Sequence, residues 1–315
     1  MNLIVIIVII ILAIPAMGAL YELIASAGDA SRHSPSGDLI DVGGHRLHID
    51  VMGKASDKPT VICDSGIGSF GIEWKLVQDA LAEQTQVVVY DRAGNGWSDK
   101  APSTPTTTQI AESLHTLLQK TGVQSPYVLI GHGIGGINIR KFAALYPNEV
   151  VGLVLVDATN PKHMEKPDFD VDKQLSSMRL PLLFKQFGLL RLISKRVFWQ
   201  YQKLPEAYQD AYVTLALRSS NNVRTELGAL FRNPPNLPDN LGELPIAVLS
   251  RSAIDLGDGE TTESDRSWHN FQTDLLTLST NSTQVISESG RYIHVENPDI
   301  VINAVHSILD QSLTQ

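Results

Sequence analysis

The residues best placed for covalent chemistry in this sequence lie in one sharp turn. Tyr127-Val128-Leu129-Ile130 reads as a buried strand, Gly131-His132-Gly133-Ile134-Gly135-Gly136 as a crowded turn, and Ile137 towards Tyr146 as a helix. Strand, glycine-rich turn and helix are the setting of the nucleophile elbow G-x-S-x-G, which presents a serine hydroxyl to an acyl carbon. The outer glycines are present as Gly131 and Gly135, but the apex is Gly133. With no side chain at the apex, there is no attacking atom.

Other reactive types are sparse. Cys63, the lone cysteine, sits in an apolar run and is expected to be a buried, inert thiol. No cysteine and histidine cluster has metal-ligand spacing along the chain. No metal or cofactor is expected. The net charge of −9 argues against nucleic-acid binding, which relies on a basic surface.

The elements that must position the turn follow a regular alternation. Leu39 to Val51 alternates around Gly43-Gly44 as a first hairpin. Short apolar strands follow at 59–63, 86–90, 127–130, 150–156, 244–250 and 284–286, with helices near 74–81, 107–120, 137–146 and 298–309 between or after them. Buried strands separated by helices predict a mostly parallel central sheet with helices on both faces. At 315 residues and 43% hydrophobic content, one large α/β domain is expected.

Between roughly 160 and 240 the strand signals stop, and the segment reads as a helical cap insertion. Within it, Arg179 to Lys203 carries six basic residues and no acidic one. Interleaved Leu182, Phe184, Phe187, Leu190 and Trp199 suggest cap helices packed on the body with cations outward, or else a membrane-facing basic surface. The amino terminus supplies the stronger membrane signal. Leu3 to Leu20 is uncharged and about as long as a bilayer-spanning helix requires. A retained anchor over residues 1–24 is the expectation, with a signal peptide cleaved at Ala25-Ser26-Ala27 as the alternative, and 25–37 as a linker.

Four stretches together resemble the α/β-hydrolase family: Asp64-Ser65-Gly66-Ile67-Gly68, the run Tyr90-Asp91-Arg92-Ala93-Gly94-Asn95-Gly96-Trp97-Ser98-Asp99, the turn around Gly133, and Ser289-Gly290-Arg291-Tyr292-Ile293-His294-Val295-Glu296-Asn297-Pro298. The resemblance is to the branch with an N-terminal anchor, and it implies the α/β-hydrolase fold over 38–315. It also implies a triad of nucleophile, histidine and carboxylate. The nucleophile position is Gly133 and the histidine position is Arg291, a permanent cation with no acceptor nitrogen. The third position falls to Asp255, with Asp157 and Asp258 as alternatives, and an Asp255–Arg291 ion pair is one way to replace the lost contact.

The same resemblance implies an oxyanion hole built from the backbone N–H groups of Ile67 and Ile134, which need no serine. Arg291 beside them is expected to favour a small anionic or lipid-like ligand. His132, His294 and Ser65 are read as structural in the first instance. The sequence therefore points to a membrane-anchored α/β-hydrolase-fold pseudoenzyme that binds a ligand or protein partner without hydrolysis. The alternative is an active esterase-, lyase- or isomerase-like enzyme using an unconventional site.

Overall fold

The computed structural model describes residues 2–165, 169–252 and 263–312, with side chains left out at positions 3, 6–11, 30, 31 and 264. Its described residues form one eight-stranded sheet in the order β1-β2-β4-β3-β5-β6-β7-β8. The strands are β1 (Asp38–Asp41), β2 (Arg46–Met52), β3 (Thr60–Asp64), β4 (Val87–Tyr90), β5 (Tyr127–His132), β6 (Val150–Val156), β7 (Ile246–Arg251) and β8 (Ser282–Ser287). The first hairpin pairs antiparallel with β4, and every later pairing is parallel. The expected α/β fold, mostly parallel with helices on both faces, is present.

Composition explains the layering. β3, β4 and β5 are buried along their whole length, as strands covered on both faces must be. On one face Leu114, Leu117 and Leu118 of α3 (Thr107–Thr121) and Phe142 of α4 (Gly135–Leu145) cover Ile62, Leu129 and Leu153. On the other, Trp74 and Leu81, flanking and within α2 (Lys75–Leu81), join Val301, Val305 and Ile308 of α12 (Pro298–Ser312) over Val61, Val128 and Val154. The ends of α3 are written locally. Thr106 and Gln109 close a capping box, and Gly122 adopts the left-handed conformation that ends the helix.

The insertion after β6 is helical, comprising α5 (Val171–Ser177), α6 (Arg179–Gln186), α7 (Leu189–Leu192), α8 (Ser194–Val197) and the long α9 (Glu206–Arg232). Two further helices, α10 (Glu263–Asp274) and the short α11 (Ile293–Glu296), flank β8. The cap is bonded to the body by its own apolar cluster, in which Phe70, Ile72 and Trp97 pack against Leu204, Tyr212 and Leu215. That cluster places α9 above the sheet edge where the elbow opens.

The amino terminus departs from expectation in two respects. Helix α1 runs from Leu3 to Arg32, through residues 25–32 of the expected linker. Its continuation has a tertiary cause: Arg191 of α7 binds Glu22 at 3.0 Å and Asp29 at 2.7 Å, two carboxylates two helical turns apart. The apolar run overlaps positions 6–11, which lie outside the described side chains. Among the described residues no helix is long and apolar enough to cross a membrane, so the expected span over Leu3–Leu20 is not supported.

Candidate functional site

The elbow geometry is intact without its nucleophile. Gly133 has φ +54, the left-handed conformation of a sharp strand-to-helix turn, and its carbonyl accepts from Gly136 and Thr159. A Cβ on Gly131 would meet Gly135 at 2.5 Å, so that position must be glycine, whereas one on Gly133 would approach only the Cα of Gly66, at 3.6 Å. The apex thus has the space for a side chain that it lacks.

The neighbouring loop is held by a buried guanidinium. Arg92 donates to Asp64 and to the carbonyls of Ser65 and Gly66, the latter at 2.6 Å, while its Nε donates to Glu226 of α9 at 2.9 Å. Glu226 also accepts from the backbone N–H of Gly68 at 3.1 Å. These bonds fix the loop that carries the Ile67 amide, while the Ile134 amide stands at the start of α4. Neither amide has a hydrogen-bond acceptor among the described residues. The flanking carboxylates lift Arg92 above the ordinary arginine range despite its burial. Asp91 is held as firmly, accepting from the N–H groups of Gly71 (2.6 Å) and Trp97 (2.9 Å) beside His48.

Where they are described, the positions taken from the resemblance lie near one another: the Gly133 N–H donates to the Val156 carbonyl next to Asp157, and Asp157 and Arg291 both contact Trp268. Asp255 and Asp258 lie outside the described residues. Asp157, at the end of β6, is buried with φ +40 and accepts from Arg251 at 2.9 Å and from Trp268 at 2.7 Å. Its carboxylate is thus paired with the Arg251 guanidinium. Arg291 is exposed, with its guanidinium 5.5 Å from the Trp268 ring centroid. Its backbone carbonyl, not its charge, enters the interior, where it accepts from Nε2 of His132 at 3.1 Å. Ser65 is buried and accepts from the Trp74 indole N–H at 3.0 Å. Cys63 is buried, and desolvation holds its thiol far above the usual range, as an inert cysteine requires.

Residues that spacing along the chain did not connect meet beneath the cap. Glu73 precedes α2, His132 ends β5 and His294 lies in α11, yet one ligand atom from each falls within 4.8 Å of the others. His294 stacks on Trp74 with ring centroids 4.2 Å apart and lies 4.6 Å from the His132 ring. Its Nε2 stands 3.5 Å from Oε2 of Glu73, whose other oxygen accepts from Tyr212 (2.8 Å) and Ser69 (3.1 Å). Burial, with His294 and Arg291 adding to it, pushes His132 well below the usual histidine range, so its imidazole is neutral. The sequence singled out His132 and His294 separately, but no spacing joined them to each other or to Glu73.

Of two cavities beside the cap, the first includes Glu73 of this centre and the second none of its three residues. One of about 190 Å³ lies under the cap between Ile67, Glu73, Phe198, Tyr212, Val223 and Tyr292. The other, of about 290 Å³, is lined by Arg92, Ile134, Asn138, Asn222, Glu226 and Leu230. Ile67 lines the first cavity and Ile134 the second, although Ile67 packs against the apolar cluster that contains Ile134, and Arg291 lines neither.

Comparison with known proteins agrees with this architecture. Residues 58–239 match the family model described as alpha/beta hydrolase fold. An uncharacterised protein of Schizosaccharomyces pombe is 26% identical over 296 residues, covering 84% of this chain and 50% of that protein. A putative carbamate hydrolase, RutD, of Cronobacter turicensis is 39% identical over 100 residues, covering 31% of this chain and 37% of that protein. The chain spans half or less of these relatives. Among solved structures, an epoxide hydrolase of Bacillus megaterium aligns with a TM-score of 0.66 at 16% identity, over 87% of this chain and 100% of that one. At that identity the likeness is one of fold.

Proposed function

The chain belongs to the α/β-hydrolase fold family, and from that premise we propose that it is a non-hydrolytic member, holding a small anionic or lipid-like ligand beneath its cap. One observation carries the reading: the apex of the elbow is a glycine in nucleophile conformation with room beside it and no side chain to attack. Two further features support it. The position expected to hold the base carries an exposed cation, and neither His132 nor His294 hydrogen-bonds a hydroxyl. Loss of a triad serine leaves mainly the residual catalysis of the oxyanion amides. Those amides, at Ile67 and Ile134, supply donors for a ligand oxygen, and Phe198, Val223 and Tyr292 supply apolar walls.

The test is labelling of the purified chain with a fluorophosphonate, alongside turnover of short-chain esters. No label and no turnover above background are expected. Turnover abolished by Ser65→Ala or His294→Ala would establish the second reading, an enzyme with an unconventional site. That reading is favoured by the hydrolase names of the relatives and by the buried Glu73–His294 contact beside the cavity.

The same reading places the chain at a membrane. The uncharged run at the amino terminus supports this, together with exposed Leu12, Ile14, Met17, Leu20 and Leu23 of α1 and Leu183, Phe184, Leu189 and Leu192 of the adjoining cap. Flotation of the full chain with liposomes is the expected behaviour, and recovery of all protein below the lipid layer would overturn it.

A further inference from the structure

Glu73, His132 and His294 are prepared as ligands rather than packed as neutral core. Each is at least nine-tenths buried, at 2%, 3% and 0% exposure. Oε2 of Glu73, Nδ1 of His132 and both ring nitrogens of His294 have no hydrogen-bond partner. Leaving such atoms orphaned incurs the desolvation penalty of each with nothing to offset it, so a cluster of them calls for something to bind. A water between them would satisfy one or two, but the donor set of two imidazoles and a carboxylate is that of a divalent transition metal.

The supporting shell is already in place. The bond from His132 Nε2–H to the Arg291 carbonyl fixes the tautomer, so Nδ1 carries a lone pair. Tyr212 and Ser69 bind Oε1 of Glu73 and so orient Oε2. Trp74 fixes the plane of His294. Ligands 2.0–2.1 Å from a tetrahedral zinc stand about 3.4 Å apart, and Oε2 of Glu73 is 3.5 Å from Nε2 of His294. One ligand atom from each residue lies within 4.8 Å of the others, which leaves a closure of roughly an ångström on binding, by the same tetrahedral geometry. Gly66 keeps the approach clear, since a Cβ there would lie 2.7 Å from His132 Nδ1. Glu73 also lines the 190 Å³ cavity, which provides an entry path and a face for a fourth ligand.

We propose that Glu73, His132 and His294 form a site for one divalent transition metal ion of the zinc class, with its open coordination position towards the cavity under the cap. The site goes beyond the ligand-binding reading and stands without it, because it rests on orphaned donor atoms and their supporting bonds.

The full chain, stripped with a chelator and dialysed, is titrated with Zn²⁺ by calorimetry, and its metal content is measured after gel filtration. One ion per chain is expected, and Co²⁺ should give the ligand-field absorption of a low-symmetry site with nitrogen and oxygen donors. His294→Ala and Glu73→Gln should abolish stoichiometric binding. Tyr212→Phe removes only the bond that orients Glu73 and should weaken binding about 10- to 100-fold. His306→Ala, remote from the site, should leave the affinity unchanged. Circular dichroism of each variant separates lost ligation from lost folding, and if His294→Ala unfolds, Tyr212→Phe decides. A folded native chain that retains no Zn²⁺, or one whose Zn²⁺ affinity is the same in Glu73→Gln and Tyr212→Phe, overturns the proposal.

Discussion

Nε of Arg92, on the body loop after β4, lies 2.9 Å from Oε1 of Glu226 on cap helix α9. The same guanidinium binds Asp64 at the end of β3, and both Arg92 and Asp64 are almost wholly buried. One cation therefore couples the end of β3, the loop containing Ile67 and the cap. Burying such a set stabilises only while every member is paired.

Removing Arg92 should accordingly cost more than removing Glu226. Arg92→Ala strands the Asp64 carboxylate and is expected to lower stability by about 3–5 kcal/mol, whereas Glu226→Ala leaves Arg92 its remaining acceptors. The double variant should show coupling of about 0.5–3 kcal/mol. Urea unfolding of the four proteins measures the cycle, and additivity would mean that the cap and loop are not linked through this pair.

Restoring the catalytic groups tests whether the elbow has lost only its side chains. Gly133→Ser should cost about 1–2 kcal/mol, because a non-glycine residue at φ +54 is strained, yet the chain should fold. Combined with Arg291→His, it should acquire fluorophosphonate labelling and ester turnover at least about tenfold above the native chain. A folded double variant that remains inert would show that the acid partner or the oxyanion amides are also unfit.

Lys185 gives the stability a pH dependence on the alkaline side. Burial lowers its ammonium from 10.5 to about 8, although Glu22 opposes the shift, and its Nζ donates to the Leu217 carbonyl. Between those two values the unfolded chain holds the proton that the folded chain releases, so stability rises with pH across that window. Below pH about 8 both states are protonated and the desolvation penalty is present in full. Urea unfolding from pH 7 to 10 should show a rise on the order of 1–3 kcal/mol that is absent from Lys185→Met. A parallel rise in that variant would assign the effect to other groups.

Arg191 should control how firmly α1 lies on the cap. Its replacement by alanine leaves Glu22 and Asp29 buried without their shared cation. Limited proteolysis of Arg191→Ala should cut within residues 21–37 well before the native chain is touched, with far-ultraviolet dichroism of the body unchanged. Equal cleavage rates would mean that apolar packing holds the helix unaided.

The fold was legible because its signals are local. The apolar runs of β3 to β6 and the glycines around the elbow each specify a strand or a turn over a few neighbouring residues. The absence of an attacking atom at the apex of the elbow was legible for the same reason, since Gly133 has no side chain in any conformation. Side-chain direction and long-range partners were not. The guanidinium of Arg291 turns outward to Trp268 while its carbonyl turns in. Residues 25–32 are helical because of an arginine far along the chain. Glu73, His132 and His294 come from three separate elements and share no spacing. Only the parallel sheet, by bringing the ends of its strands and the helices that follow them to one edge, makes neighbours of them.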